Sequence, residues 1–123
     1  MPAHRAERVA EMLHRELDER LRLEVKDPRI VPISITSIEV SRDLSRAVVE
    51  FLPLGGGAVE KDLLDGLAQA ARKLRGPIGR ALRLRHAPEI VFRVDAHTEE
   101  AIRITGLLSQ MERDRAAREG SDE

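Results

Sequence analysis

Aliphatic residues recur at helical spacing near the start of the chain. Val9, Leu13, Leu17, Leu21 and Val25 fall every four residues with Met12 alongside, and Arg and Glu fill the positions between. This predicts an amphipathic helix over residues 5–25. Lys26-Asp27-Pro28-Arg29 ends it, because Pro28 disfavours helical geometry at Asp27. Residues 30–40, rich in Ile, Val, Ser and Thr, predict a strand. Its apolar phase changes between Ile33/Ile35 and Ile38/Val40, which calls for a bulge or for burial on both faces. After the polar turn Ser41-Arg42-Asp43-Leu44-Ser45, residues 46–54 predict a second strand, antiparallel to the first.

Gly55-Gly56-Gly57 is a flexible break. Leu63, Leu64, Leu67, Ala70, Ala71 and Leu74 then mark a second helix, interrupted at Gly76-Pro77. Pro77 suits the first position of a third helix reaching about residue 84. Residues 88–95 alternate Ile90, Phe92 and Val94 against Val91 and Arg93, a third strand. Residues 98–111, with Ile104, Leu107, Leu108 and Met111, predict a last helix, and residues 112–123 a charged, frayed tail. The order α-β-β-α-α-β-α predicts an α+β domain over residues 1–111, a three-stranded sheet with helices on one face.

Composition narrows the function. With 41% hydrophobic and 35% charged residues in 123, the chain can build one modest core under a highly charged surface. It has no cysteine, which excludes disulfides and thiolate chemistry. No apolar run approaches the roughly 20 residues of a membrane span, and the charged N-terminus lacks a signal-peptide core. A soluble, cytoplasmic protein is expected, with monomer as the simplest state. Phe51 and Phe92 are the only aromatic residues, which argues against RNA modules that stack bases on exposed rings.

The net charge of −1 conceals a segregation. Residues 1–71 carry 10 basic and 13 acidic side chains, and residues 94–123 carry four and eight. Between them, Arg72, Lys73, Arg75, Arg80, Arg83, Arg85 and Arg93 face Glu89 as the only acid. His4, His14, His86 and His97 lack metal-ligand spacing, and no phosphate-loop, zinc-protease or nucleophile-elbow motif occurs. An enzyme, a metal and a cofactor are therefore not expected.

The candidate site is Ala70 to Arg85. Gly76-Pro77-Ile78-Gly79 has the GxxG form, which in KH domains brings backbone amides to phosphates between two helices. The expected RNA-binding residues are Arg72, Lys73, Arg75, Gly76, Gly79, Arg80, Arg83 and Arg85, with Arg80 and Arg83 sharing one side of the short third helix. The alternative is a solvated basic face whose Arg stems shield apolar surface. Arg42 also has two readings: it could reach RNA, or it merely sits in a turn capped by Ser41 and Asp43.

Four stretches carry a family resemblance: Val25-Lys26-Asp27-Pro28-Arg29-Ile30, Glu39 through Ala47, Leu82 through Ile90, and Asp95 with Arg103-Ile104 and Leu107-Leu108. In this order they resemble bacterial ribosome-binding factor A over residues 5–111. The resemblance implies a single type II KH-like domain that binds the free small (30S) ribosomal subunit and its 16S rRNA. It further implies support of late subunit maturation, 16S rRNA 5′-end processing and growth at low temperature. That family usually has an Ala-x-Gly kink between its two helices, a register that falls here on Ala70-Ala71-Arg72, with Arg in place of Gly. The bend is therefore expected nearer Gly76, or doubled. Two other readings compete: a KH-type module for single-stranded RNA, and a protein–protein adaptor with a basic docking face.

Overall fold

The computed structural model describes residues 2–96 and 111–115. Helix α1 spans Pro2–Leu23, strands β1 and β2 span Ile33–Val40 and Arg46–Pro53, helix α2 spans Lys61–Ala81, and strand β3 spans Glu89–Val94. The sheet order is β1-β2-β3, with β1 and β2 antiparallel and β2 and β3 parallel. The α+β class and the three strands are those the sequence predicts. Most of the expected last helix lies outside the described residues; residues 111–115 are helical and exposed.

Val9, Leu13 and Leu17 of α1 are buried, as their spacing demands, whereas Met12 is 40% exposed. They meet Ile35, Val40, Ala47, Val49 and Ile90 from the sheet and Ala71, Leu74 and Ile78 from α2 in one cluster. A second cluster joins Phe51 to Val59, Leu63 and Leu67. Phe51 and Phe92 meet edge to face with centroids 6.2 Å apart. The phase change in β1 is a β-bulge: the register with β2 shifts between Ile35 and Ser37. One extra residue there keeps both Ile33/Ile35 and Ile38/Val40 directed at the helices. Gly55, Gly56 and Gly57 all have positive φ, between 81° and 102°, a run that side chains resist. It returns the chain from β2 to the start of α2.

The segment between α1 and β1 is fastened to α2. Asp27 accepts from the backbone N–H of Arg29 at 2.9 Å and from its guanidinium at 2.7 Å. The same Nη2 donates to Gln69 Oε1 at 2.6 Å. Gly66 of α2 makes room for this segment, since a Cβ there would lie 2.9 Å from Ile30 Cγ1. Chiefly through the Arg29 guanidinium, and then the Arg29 backbone N–H, the Asp27 carboxyl is held at about 2, below its ordinary 3.8.

The expected break at Gly76-Pro77 is absent. α2 runs unbroken through both residues, so no separate helix starts at Pro77 and Gly76 to Gly79 form no interhelical GxxG loop. Pro77 lacks the N–H that would bond the Lys73 carbonyl, a local cost of about 3 kcal/mol. Against it, Ala70, Ala71, Leu74 and Ile78 form one buried stripe across the proline. Each large aliphatic side chain in such a stripe contributes about 1.5–3 kcal/mol on burial, and a break would turn one half of the stripe from the sheet. Packing therefore overrides the local signal. Gly79 is buried, and a Cβ there would fall 2.7 Å from Ala87 Cβ. Its lack of a side chain serves close packing, not phosphate approach.

Gly76→Ala, exposed in mid-helix, should change stability by less than about 0.5 kcal/mol, because the gain in helix propensity is offset by the Pro77 ring crowding a Cβ on the preceding helical residue. Gly79→Ala should lower it by about 1–3 kcal/mol through overpacking against Ala87. Thermal melts should show a clear loss for Gly79→Ala and little change for Gly76→Ala; a loop at Gly76–Gly79 would give no such split. The Asp27 fastening is tested by pH. Folding favours ionised Asp27, so its contribution is full above about pH 4 and fades as pH falls toward about 2. Urea midpoints of Asp27→Asn should consequently depend less on pH over that window than those of the parent chain.

Candidate nucleic-acid interface

Arg72, Lys73, Arg75, Gly76 and Arg80 lie on the exposed side of α2, opposite the buried stripe. They do not form one uniform row. Lys73 borders a cleft of about 370 Å³ with Lys26, Asp27, Pro28 and Gln69, and its charge helps lower the Asp27 pKa. Arg72 and Arg75 instead border the groove between α2 and β3. Arg75 is partly committed, since its Nε and Nη2 donate to the Ala87 carbonyl at 3.1 and 3.0 Å. Arg80 reaches back along the helix, with Nη1 3.4 Å from where a Gly76 Cβ would stand.

Arg83 is not on a helix. α2 ends at Ala81 with Leu82 as its cap, and Arg83 has φ 55° in the left-handed region. The Leu84 N–H bonds Gly79 O at 2.9 Å and the Arg83 N–H bonds Arg80 O at 3.1 Å. This pair of bonds is a Schellman ending, in which the left-handed position is usually glycine. Arg83 therefore does not share a helix side with Arg80. An arginine there costs about 1–2 kcal/mol relative to right-handed backbone, and such cost concentrates at functional positions. Arg85 and His86 follow, both exposed.

The hairpin turn has the structural role the sequence offered as one reading. Ser41 Oγ donates to Asp43 Oδ1 at 2.8 Å and accepts from the N–H groups of Ser45 and Arg46, each at 3.1 Å. Asp43 also accepts from Ser45 Oγ at 2.7 Å. Those bonds, the Ser45 hydroxyl foremost, lower the Asp43 pKa. Leu44 sits at φ 61°. Arg42 takes no part in the capping and is exposed.

Sequence reasoning missed where this turn lies. Ser45 O accepts from Glu89 N–H at 2.9 Å, and Arg46 stands beside Glu89 in the parallel ladder. The turn that carries Arg42 and Arg46 is thus at the same end of the sheet as the segment Arg83–His86, which leads into β3. The signal was available: two strands joined through a helix are parallel, so their starts lie side by side. Among the described residues, no carboxylate pairs with Arg42, Arg72, Lys73, Arg80, Arg83 or Arg85, whereas Arg20, Arg29 and Arg93 each have one. No cluster of metal-ligating side chains occurs among the described residues, and no helix among them is long and apolar enough to cross a membrane.

The sequence matches the family model for ribosome-binding factor A over residues 5–108. It is 43% identical to the ribosome-binding factor A of Desulfitobacterium hafniense over 120 residues, covering 98% of this chain and 96% of that one. To the protein of that name from Thioalkalivibrio sulfidiphilus it is 40% identical, covering 97% and 93%. The crystal structure of ribosome-binding factor A from Thermus thermophilus superimposes with a TM-score of 0.62 at 25% identity, covering 72% of this chain and 94% of that one. A Thermus thermophilus homology model fitted into the cryo-electron-microscopy map of a complex with 30S gives a TM-score of 0.59, also at 25% identity. With the family match spanning nearly the whole chain and the same KH-like architecture in its structural relatives, this protein belongs to the ribosome-binding factor A family.

Proposed function

We propose that the protein is a non-enzymatic assembly factor that binds the free small ribosomal subunit through 16S rRNA phosphates. In this role it supports late subunit maturation, 16S rRNA 5′-end processing and growth at low temperature. The observation that carries the reading is a set of arginines without carboxylate partners among the described residues at one end of the sheet: Arg83 and Arg85 after α2, and Arg42 on the hairpin turn at the same end. Arg80, Arg72 and Lys73 extend the charge along α2. The relative fitted into a 30S complex supports the choice of particle. A KH-type grip on single-stranded RNA is less favoured, because Gly76 to Gly79 are helical and present no loop of free amides.

The test is co-sedimentation of the purified protein with separated small subunits, large subunits and assembled ribosomes at two salt concentrations. Salt-sensitive binding to free small subunits alone is expected, because each neutralised phosphate releases counterion. Equal binding to all particles would reduce the cations to generic polyanion affinity. Arg83→Gly separates fold from contact. Relief of the left-handed strain, less the extra unfolded-state entropy of glycine, should stabilise the domain by about 0.5–1 kcal/mol. The same change should weaken subunit binding and reduce the log–log salt slope by about 1. A variant that is more stable and binds as tightly would remove Arg83 from the interface.

A further inference from the structure

β3 lies at the edge of the sheet, and its backbone hydrogen bonds alternate. The N–H groups of Glu89 and Asp95 point to β2, bonding Ser45 O and Phe51 O at 2.9 Å each. In a regular parallel strand the residues in phase with them, Val91 and Arg93, point the same way. Ile90 and Phe92 therefore direct both their N–H and C=O groups outward, and no strand pairs with this edge among the described residues. The opposite edge, on β1, is interrupted by its bulge, a device that blunts pairing. β3 has no such interruption.

The open edge borders a groove of about 580 Å³, whose other wall is α2. Leu64, Ala68 and Ala71 supply its apolar lining, and exposed Arg72 and Arg75, with Glu89 at the start of β3 as the one carboxylate, give it a net cationic rim. In a KH domain the phosphate-binding loop would make such a groove a track for nucleic acid. Here that loop is a continuous helix, and Phe92, half-buried against Phe51, is the only aromatic residue lining the groove. An unpaired backbone ladder, an apolar wall and a cationic rim together suit an extended polypeptide.

We infer that the groove between α2 and β3 docks an extended segment of a partner protein, one that alternates apolar and acidic residues. The segment adds to β3 as a fourth strand, with its apolar side chains against Ala68 and Leu64 and its carboxylates toward Arg72 and Arg75. Main-chain bonds to Ile90 and Phe92 supply affinity and the side-chain pockets supply selectivity, as in other strand additions. Docking here does not require that the arginines at the end of the sheet bind rRNA.

The test pans a displayed library of random short peptides against the full chain, then follows amide hydrogen exchange with the selected peptides. Selection of alternating apolar and acidic sequences is expected, with new protection at Ile90 and Phe92. Val91 and Arg93, already bonded to β2, serve as internal controls. Ala68→Trp, which fills the groove from an exposed helix position, and Arg72→Glu should each weaken those peptides by about tenfold or more. Retained helical circular dichroism shows that the variants fold. The inference is overturned if selected peptides leave the Ile90 and Phe92 amides unprotected, if Ala68→Trp binds them as tightly, or if no peptide is selected. Protection of the same amides by oligouridine but not by peptide would assign the groove to single-stranded RNA instead.

Discussion

Close contact between Gly79 and Ala87 sets the geometry of the cationic end of the molecule. With no side chain on Gly79, the last turn of α2 lies against the segment that returns to β3, and a single methyl group would push them apart. Several features follow from that approach. The Ala87 carbonyl comes within reach of the Arg75 guanidinium. The Gly79 carbonyl receives the Leu84 N–H, which closes the helix and turns Arg83 into left-handed backbone. The chain is then short enough from Ala81 to Glu89 to deliver β3 beside the start of β2, where Glu89 bonds Ser45.

A second close approach serves the other end. Gly66 admits Ile30, and Arg29 bridges Asp27 to Gln69. The stretch Val25 through Ile30, one of those that carry the family resemblance, thus acts as a fastening between the end of α1 and the middle of α2. Its charges are used internally: Arg29 is neutralised by Asp27. The arginines on the outer side of α2 and after it have no such partners among the described residues. Side chains of one type therefore divide into those that hold the fold and those with no carboxylate partner among the described residues, and sequence composition alone does not make that division.

The continuous helix changes what the KH-like architecture can offer. An interhelical loop would present free amides to a phosphate, while a helix consumes them in its own ladder. On the proposed reading, affinity for rRNA would come from side-chain charge, carried by the exposed arginines, and from shape. Arg83 shows the same economy. It occupies a position where glycine would be less strained, and the guanidinium it carries is the feature glycine would remove.

The amphipathic α1, the hairpin, the bulge in β1, the capped turn at Ser41 and Asp43 and the α+β class were all legible from residue order. Each follows from periodicity or from chemistry within a few residues, such as the shift of apolar phase between Ile35 and Ile38. The excess of cations from Arg72 to Arg85 was equally visible. Tertiary structure alone decided the fate of Gly76-Pro77. Local rules read a break there, and the stripe from Ala70 to Ile78, buried against the sheet and α1, outweighed the one hydrogen bond that proline removes. It likewise decided which cations lie together. Arg42 and Arg83 are far apart in the chain and lie at the same end of the sheet because parallel pairing sets the starts of β2 and β3 side by side. Sequence determines what is encoded over one turn of helix or one pair of strands, whereas burial is shared among distant residues, and only the folded chain shows where it prevails.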